Sequence, residues 1–88
     1  MDEETRERCE EGKRLIAEVA TRYAGQHGLT PREVRWEERG FDLMLVFETD
    51  SHQVDIPFSA DEVAYYPEGI GNDVTKRKIR DKFAGLSI

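Results

Sequence analysis

Apolar and polar residues along this chain change period twice, and each change marks a change of element. From residue 3 to about 24, Leu15, Ile16, Val19, Ala20, Tyr23 and Ala24 fall at the i, i+1, i+4, i+5, i+8 and i+9 positions of one helical face. Acids crowd the first turns, where the helix dipole favours them. Glu4–Arg8, Glu10–Arg14 and Glu18–Arg22 are acid-first pairs at i,i+4 spacing, each worth about 0.2–0.5 kcal/mol. Gly25 and Gly28 are stop signals. "LTPREV" has the Thr-Pro-x-Glu order of a capping box, but Val34 and Trp36 alternate with Arg35 and Glu37. A strand over residues 34–38 is the reading that gives the apolar run after Gly40 a neighbour to pair with. Residues 41–48, "FDLMLVFE", form the most secure strand, entered through a tight connection at Arg39-Gly40. "HQVDIPF", ending at Phe58, is its hairpin partner across Thr49-Asp50-Ser51, with Pro57 near a strand end or on an edge.

The period then returns to that of a helix. In "FSADEV", Ser59 caps, Glu62 stands at N3 and Phe58 with Val63 forms a hydrophobic staple. Pro67 ends this helix early, "PEGIGND" is a loop, and Asn72 or Asp73 caps a last helix running through Phe83 to a C-cap at Gly85. The order is α-β-β-β-α-α. We expect a single small α+β domain over residues 1–88, a three-stranded antiparallel meander with helices packed on one face, and frayed ends at 1–2 and 86–88.

Alternation divides the sheet into two faces. Val34, Trp36, Phe41, Leu43, Leu45, Phe47, Val54, Ile56 and Phe58 share the face that must become the core, covered by the first helix and by Ile79, Phe83 and Leu86. Arg35, Glu37, Asp42, Met44, Val46, Glu48, Gln53 and Asp55 share the other. An antiparallel sheet can leave such a face in water. Met44 and Val46, apolar at the centre of a charged rim, also suit a partner or self-association surface.

Composition narrows the function classes. The 88 residues are 38% hydrophobic and 36% charged, with a formal net charge of -6. No apolar run is long enough to span a membrane, and the acidic start lacks signal-peptide character, so a cytoplasmic protein without membrane contact is expected. The one cysteine, Cys9, forms no internal disulfide; Glu7, Glu10 and Glu11 around it disfavour a thiolate, and a half-buried helix position is expected. Charge is polarised. Residues 34–73 hold ten acids against two bases, a net of -8, whereas residues 74–83, "VTKRKIRDKF", hold five bases against one acid, a net of +4.

Candidate chemistry is sparse. Asp50, His52 and Asp55 lie close in sequence at a turn, but a zinc site needs three or four converging ligands and no second His or Cys is near. "GIG" at residues 69–71 lacks the strand-to-helix context of a phosphate loop. With no nucleophile–base order either, no cofactor, metal or catalytic residue is assigned, and a non-catalytic domain is expected. The basic helix is the sharper feature. Helical numbering puts Val74, Ile79 and Phe83 toward the core and groups Lys76, Arg77 and Arg80 outside, with Lys78 and Lys82 flanking. Lys76 and Arg77, placed in the first turn, would oppose the helix dipole.

The α-β-β-β-α order and "TKRKIR" at residues 75–80, downstream of Gly69 and Gly71, resemble the double-stranded-RNA-binding domain. That resemblance implies phosphate contacts from Lys76, Arg77 and Arg80. The chain departs from the family in having "ERGF" between its first two strands, a helix inserted after the third, Ile79 where alanine is usual, and an acidic net charge. The reading favoured by sequence is a small interaction or accessory domain that meets a protein partner or a second copy through Met44 and Val46, or through Lys76, Arg77 and Arg80. Duplex RNA binding by the last helix is the alternative.

Overall fold

A computed structural model describes residues 3–85, so the expected frayed ends and Leu86 lie outside the described residues. The order is α1 (Glu3–Gln26), β1 (Glu33–Arg39), β2 (Asp42–Glu48), β3 (Gln53–Ser59), α2 (Ala60–Tyr65), a 3₁₀ turn (Tyr66–Glu68) and α3 (Asn72–Ala84). The strands form an antiparallel sheet in the order β1-β2-β3. The α+β architecture and the meander are as expected.

Register carries the alternation across the sheet. Trp36, Leu45 and Ile56 stand opposite one another, as do Val34, Phe47 and Val54. Leu45, Phe47, Ile56 and Phe58 are buried against Ile16, Val19 and Ala20 of α1 and Ile79 and Phe83 of α3. Phe83 meets Phe47 edge-on at 5.1 Å between ring centroids, and Trp36 leans across to Phe58 at 5.7 Å, geometries that aromatic quadrupoles favour. Close helix–strand packing falls at β3, while α1 lies against α2 and α3.

Two local signals act as expected. Ser59 accepts from the Glu62 N–H at 3.1 Å and the Ser59 N–H donates to the Glu62 carboxylate at 3.0 Å, a complete capping box. The staple pair, Phe58 and Val63, is buried. At the end of α1 the Leu29 N–H donates to the Ala24 carbonyl and the Gly28 N–H to that of Gly25, with Gly28 at φ 74°, a Schellman motif that seats Leu29 against the core. Of the acid–base pairs along α1, Glu4–Arg8 forms at 2.8 Å. Arg14 turns instead to Glu18 at 3.0 Å and Glu11 at 3.6 Å. Arg8 also reaches Glu68 at 3.1 Å, tying α1 to the 3₁₀ turn.

Several expectations are corrected. Phe41 is not a core strand residue but is 101% exposed. Arg39 and Asp42 pair, so the β1–β2 turn is Gly40-Phe41, with Gly40 at φ 63° in the glycine-first pattern of a type II′ hairpin. Val74 is not on the core side of α3. It is 64% exposed, and Thr75 takes the inward place. Thr75, Ile79 and Phe83 step by four along one face, whereas a five-residue step from Val74 to Ile79 turns it about 140° away. The N-cap of α3 is Gly71 rather than Asn72 or Asp73, both of which lie inside the helix. Cys9 is buried more fully than expected, at 6% exposure.

Candidate functional site

The cations of α3 divide into one that is used internally and others that are not. Lys78 projects toward β3 and α2, where its ammonium donates to the Pro57 carbonyl at 2.9 Å and to the Glu62 carboxylate at 3.0 and 3.2 Å. It also lies 4.9 Å from the centroid of the Phe58 ring. Lys78 is therefore a tie between elements, not a flank of the outward cluster. Burial pushes the Glu62 carboxyl up, but the Ser59 N–H and Lys78 outweigh it and leave the group more acidic than an ordinary glutamate.

Lys76, Arg77, Arg80 and Lys82 are exposed. Arg80 has its sequence neighbour Asp81 at 3.7 Å; among the described residues no ion pair involves Lys76, Arg77 or Lys82. Lys76 and Arg77 fall in the second turn of α3, because the helix begins at Asn72. The expected opposition to the helix dipole is thereby weakened, since that field is felt mainly within the first turn.

Beside these cations is a feature that sequence reasoning missed. Tyr65 (45% exposed), Ile70 (56%) and Val74 (64%) surround a depression of about 330 Å³ at the junction of α2 and α3. Its origin is local. The Ile70 N–H donates to the Tyr65 carbonyl and the Gly69 N–H to that of Tyr66, a second Schellman motif, and such motifs set the residue after the glycine against the last helical turn. Asp61, Glu62, Gly71 and Thr75 complete the lining, so the depression itself holds two carboxylates and no cation. Arg77 follows Val74 at i+3, which places a cation on the same side of α3 as the apolar surface.

The open sheet face is built differently from expectation. Met44 is half-buried there, and Val46 has 0% exposure. Val46 stands between Arg35 on β1 and Asp55 on β3, and ion pairs lie across this face. Arg35 donates to Glu33 at 3.0 Å, to Glu37 at 3.2 Å and to Glu48 at 2.9 Å. Arg39 donates to Glu37 at 2.6 Å and approaches Asp55 at 3.5 Å. Hydrogen bonds from Arg39 and then Arg35 hold the Glu37 carboxyl below the usual carboxylate range. Five acids, Glu33, Glu37, Asp42, Glu48 and Asp55, face two arginines, so this surface has a net charge of -3. Met44 and Val46 are thus neighbours on β2, on the sheet face opposite the helical layer that carries Lys76, Arg77 and Arg80; the five do not form one site.

The remaining chemistry-bearing residues are engaged locally. His52 Nδ1 is 2.8 Å from the Ser51 hydroxyl, and Asp55 accepts from Gln53 at 3.0 Å. Among the described residues no group of three or more His, Cys, Asp or Glu is arranged to hold a metal ion. Cys9 lines a depression of about 230 Å³ with Arg6 and Lys13 as well as Glu10 and Glu38, so its surroundings carry both signs of charge rather than acids alone. No described helix is long and apolar enough to cross a membrane. Compared with protein-family models, with curated proteins and with solved structures, the chain matches none.

Proposed function

We propose that this domain is a non-catalytic interaction module that binds an acidic, amphipathic segment of a partner protein at the junction of α2 and α3. One observation carries the reading: an exposed apolar depression, formed by Tyr65, Ile70 and Val74, adjoins the helix side that carries Arg77, a cation in no ion pair among the described residues. Apolar anchors in such a depression would supply affinity, and acids flanking them would meet Arg77 first and then Arg80 and Lys76 farther round α3. Tyrosine and arginine are the residue types in which binding energy concentrates. A helix presenting two or three apolar side chains between acids fits this chemistry.

Duplex RNA, the other reading of the same cations, makes no use of the apolar depression. The two are separated by anisotropy titrations with a labelled Leu/Glu amphipathic peptide and with a labelled RNA duplex, each at low and moderate salt. The peptide is expected to bind, Ile70→Ser and Val74→Ser to weaken it about tenfold each, and Lys76→Glu with Arg77→Glu to remove its salt sensitivity. These residues are exposed, so the variants should retain the thermal midpoint of the parent. RNA binding that falls steeply with salt, with no response to the peptide, would replace this reading by the nucleic-acid one.

A further inference from the structure

The free edge of the sheet carries a charge order with a symmetry of its own. β1 borders β2 on one side and no strand on the other. Along it the open-face residues are Glu33, Arg35, Glu37 and Arg39, an order that reverses sign about Trp36. A two-fold symmetric contact must pair a surface with itself, so each residue meets the symmetry mate of another. If two copies of β1 pair antiparallel about Trp36, Glu33 faces Arg39 of the second copy and Arg35 faces its Glu37. All four cross-strand contacts on that face then join opposite charges.

The neighbouring registers do the opposite. A pairing centred on Arg35 sets Arg35 against itself and Glu33 against Glu37. One centred on Glu37 sets Glu37 against itself and Arg35 against Arg39. Like charges directly opposite one another destabilise a sheet, so the pattern selects a single long register.

The backbone agrees with that register. Arg39 and Asp42 flank a two-residue turn and so form a hydrogen-bonded pair, and alternation then points the N–H and C=O groups of Val34, Trp36 and Glu38 away from β2. Those groups are the ones a second β1 centred on Trp36 would use. Arg35–Glu37 and Glu33–Arg39 become non-hydrogen-bonded pairs, whose Cα atoms approach to about 4.5 Å and whose side chains lie closest. Close helix–strand packing falls at β3, at the far edge of the sheet. The Arg35–Glu33 and Arg39–Glu37 pairs are exposed and yield readily to cross-strand ones, whereas the Arg35 bonds to Glu37 and Glu48 are half-buried.

We propose that a second copy of this chain docks edge to edge on β1, antiparallel about Trp36, joining two three-stranded sheets into one of six strands. The proposal goes beyond the α2–α3 surface and uses none of its residues. Sedimentation over about 10 µM to 1 mM tests it, a range suited to an edge contact of one short strand. The parent chain is expected to dimerise. Arg35→Glu sets Glu against Glu37, and Glu37→Arg sets Arg against Arg35, so each variant alone should weaken dimerisation about tenfold or more. An equimolar mixture of the two restores every opposite-charge contact and is expected to form heterodimers. A role confined to the fold of one chain predicts no such rescue. A parent that stays monomeric throughout the range, single variants that dimerise like the parent, or a mixture that fails to associate would each overturn the proposal. Peptide binding at α3 is read by different residues, so either result stands without the other.

Discussion

At the scale of single residues, Glu62 and Gly12 show how much one position can hold. The Glu62 carboxylate accepts from the Ser59 N–H and from Lys78, which joins the start of α2 to the side of α3. Its folded pKa lies below the ordinary 4.5, so its contribution is complete above that value and is lost as pH falls through the folded pKa. Glu62→Gln should therefore be less stable than the parent at neutral pH, and urea titrations should show the two converging in acid below pH 4.5. Gly12 is buried in α1, and a Cβ placed on it would overlap the Val63 carbonyl of α2. Alanine is the better helix former by about 1 kcal/mol. A backbone oxygen cannot step aside as a side chain can, so the clash decides, and Gly12→Ala should lose roughly 1–3 kcal/mol in the same measurement. The Ser59–Glu62 box is legible in sequence because all its partners lie within four positions. Gly12 is not, because its reason lies in a helix far along the chain.

At the scale of elements, alternation and register are readable, and errors gather where one residue's identity imitates a neighbouring environment. Phe41 continues the apolar run of β2, yet a two-residue hairpin requires Gly40 and Phe41 together as its turn. Phe41→Ser is accordingly expected to change stability by less than about 0.5 kcal/mol. Gly40→Val should cost about 1–2 kcal/mol, because valine is strained at a positive φ; thermal melts separate the two. In α3, Val74 is apolar and Thr75 is not, but the four-residue step to Ile79 and Phe83 outweighs polarity and turns Thr75 inward. Lys78 resembles a surface cation because nothing near it in sequence announces Pro57, Phe58 and Glu62. The apolar depression is hidden for a related reason. Ile70 looks like a loop residue until the turn at Gly69 sets it beside Tyr65 and Val74.

At the scale of the whole molecule, the polarity seen in composition becomes an arrangement. The open sheet face is acidic and laced by Arg35 and Arg39, whereas α3 exposes Lys76, Arg77, Arg80 and Lys82. Opposite charges on different faces would by themselves lead to head-to-tail chains of copies; β1, complementary to itself, allows a closed pair. The most direct test is a two-dimensional ¹H–¹⁵N spectrum of the labelled domain, followed during titration with the Leu/Glu amphipathic peptide. Shifts are expected to concentrate at Tyr65, Ile70, Val74, Lys76 and Arg77, to saturate with peptide and to be absent from the strands. Shifts confined to the sheet face, or none at saturating peptide, would contradict binding at the α2–α3 junction.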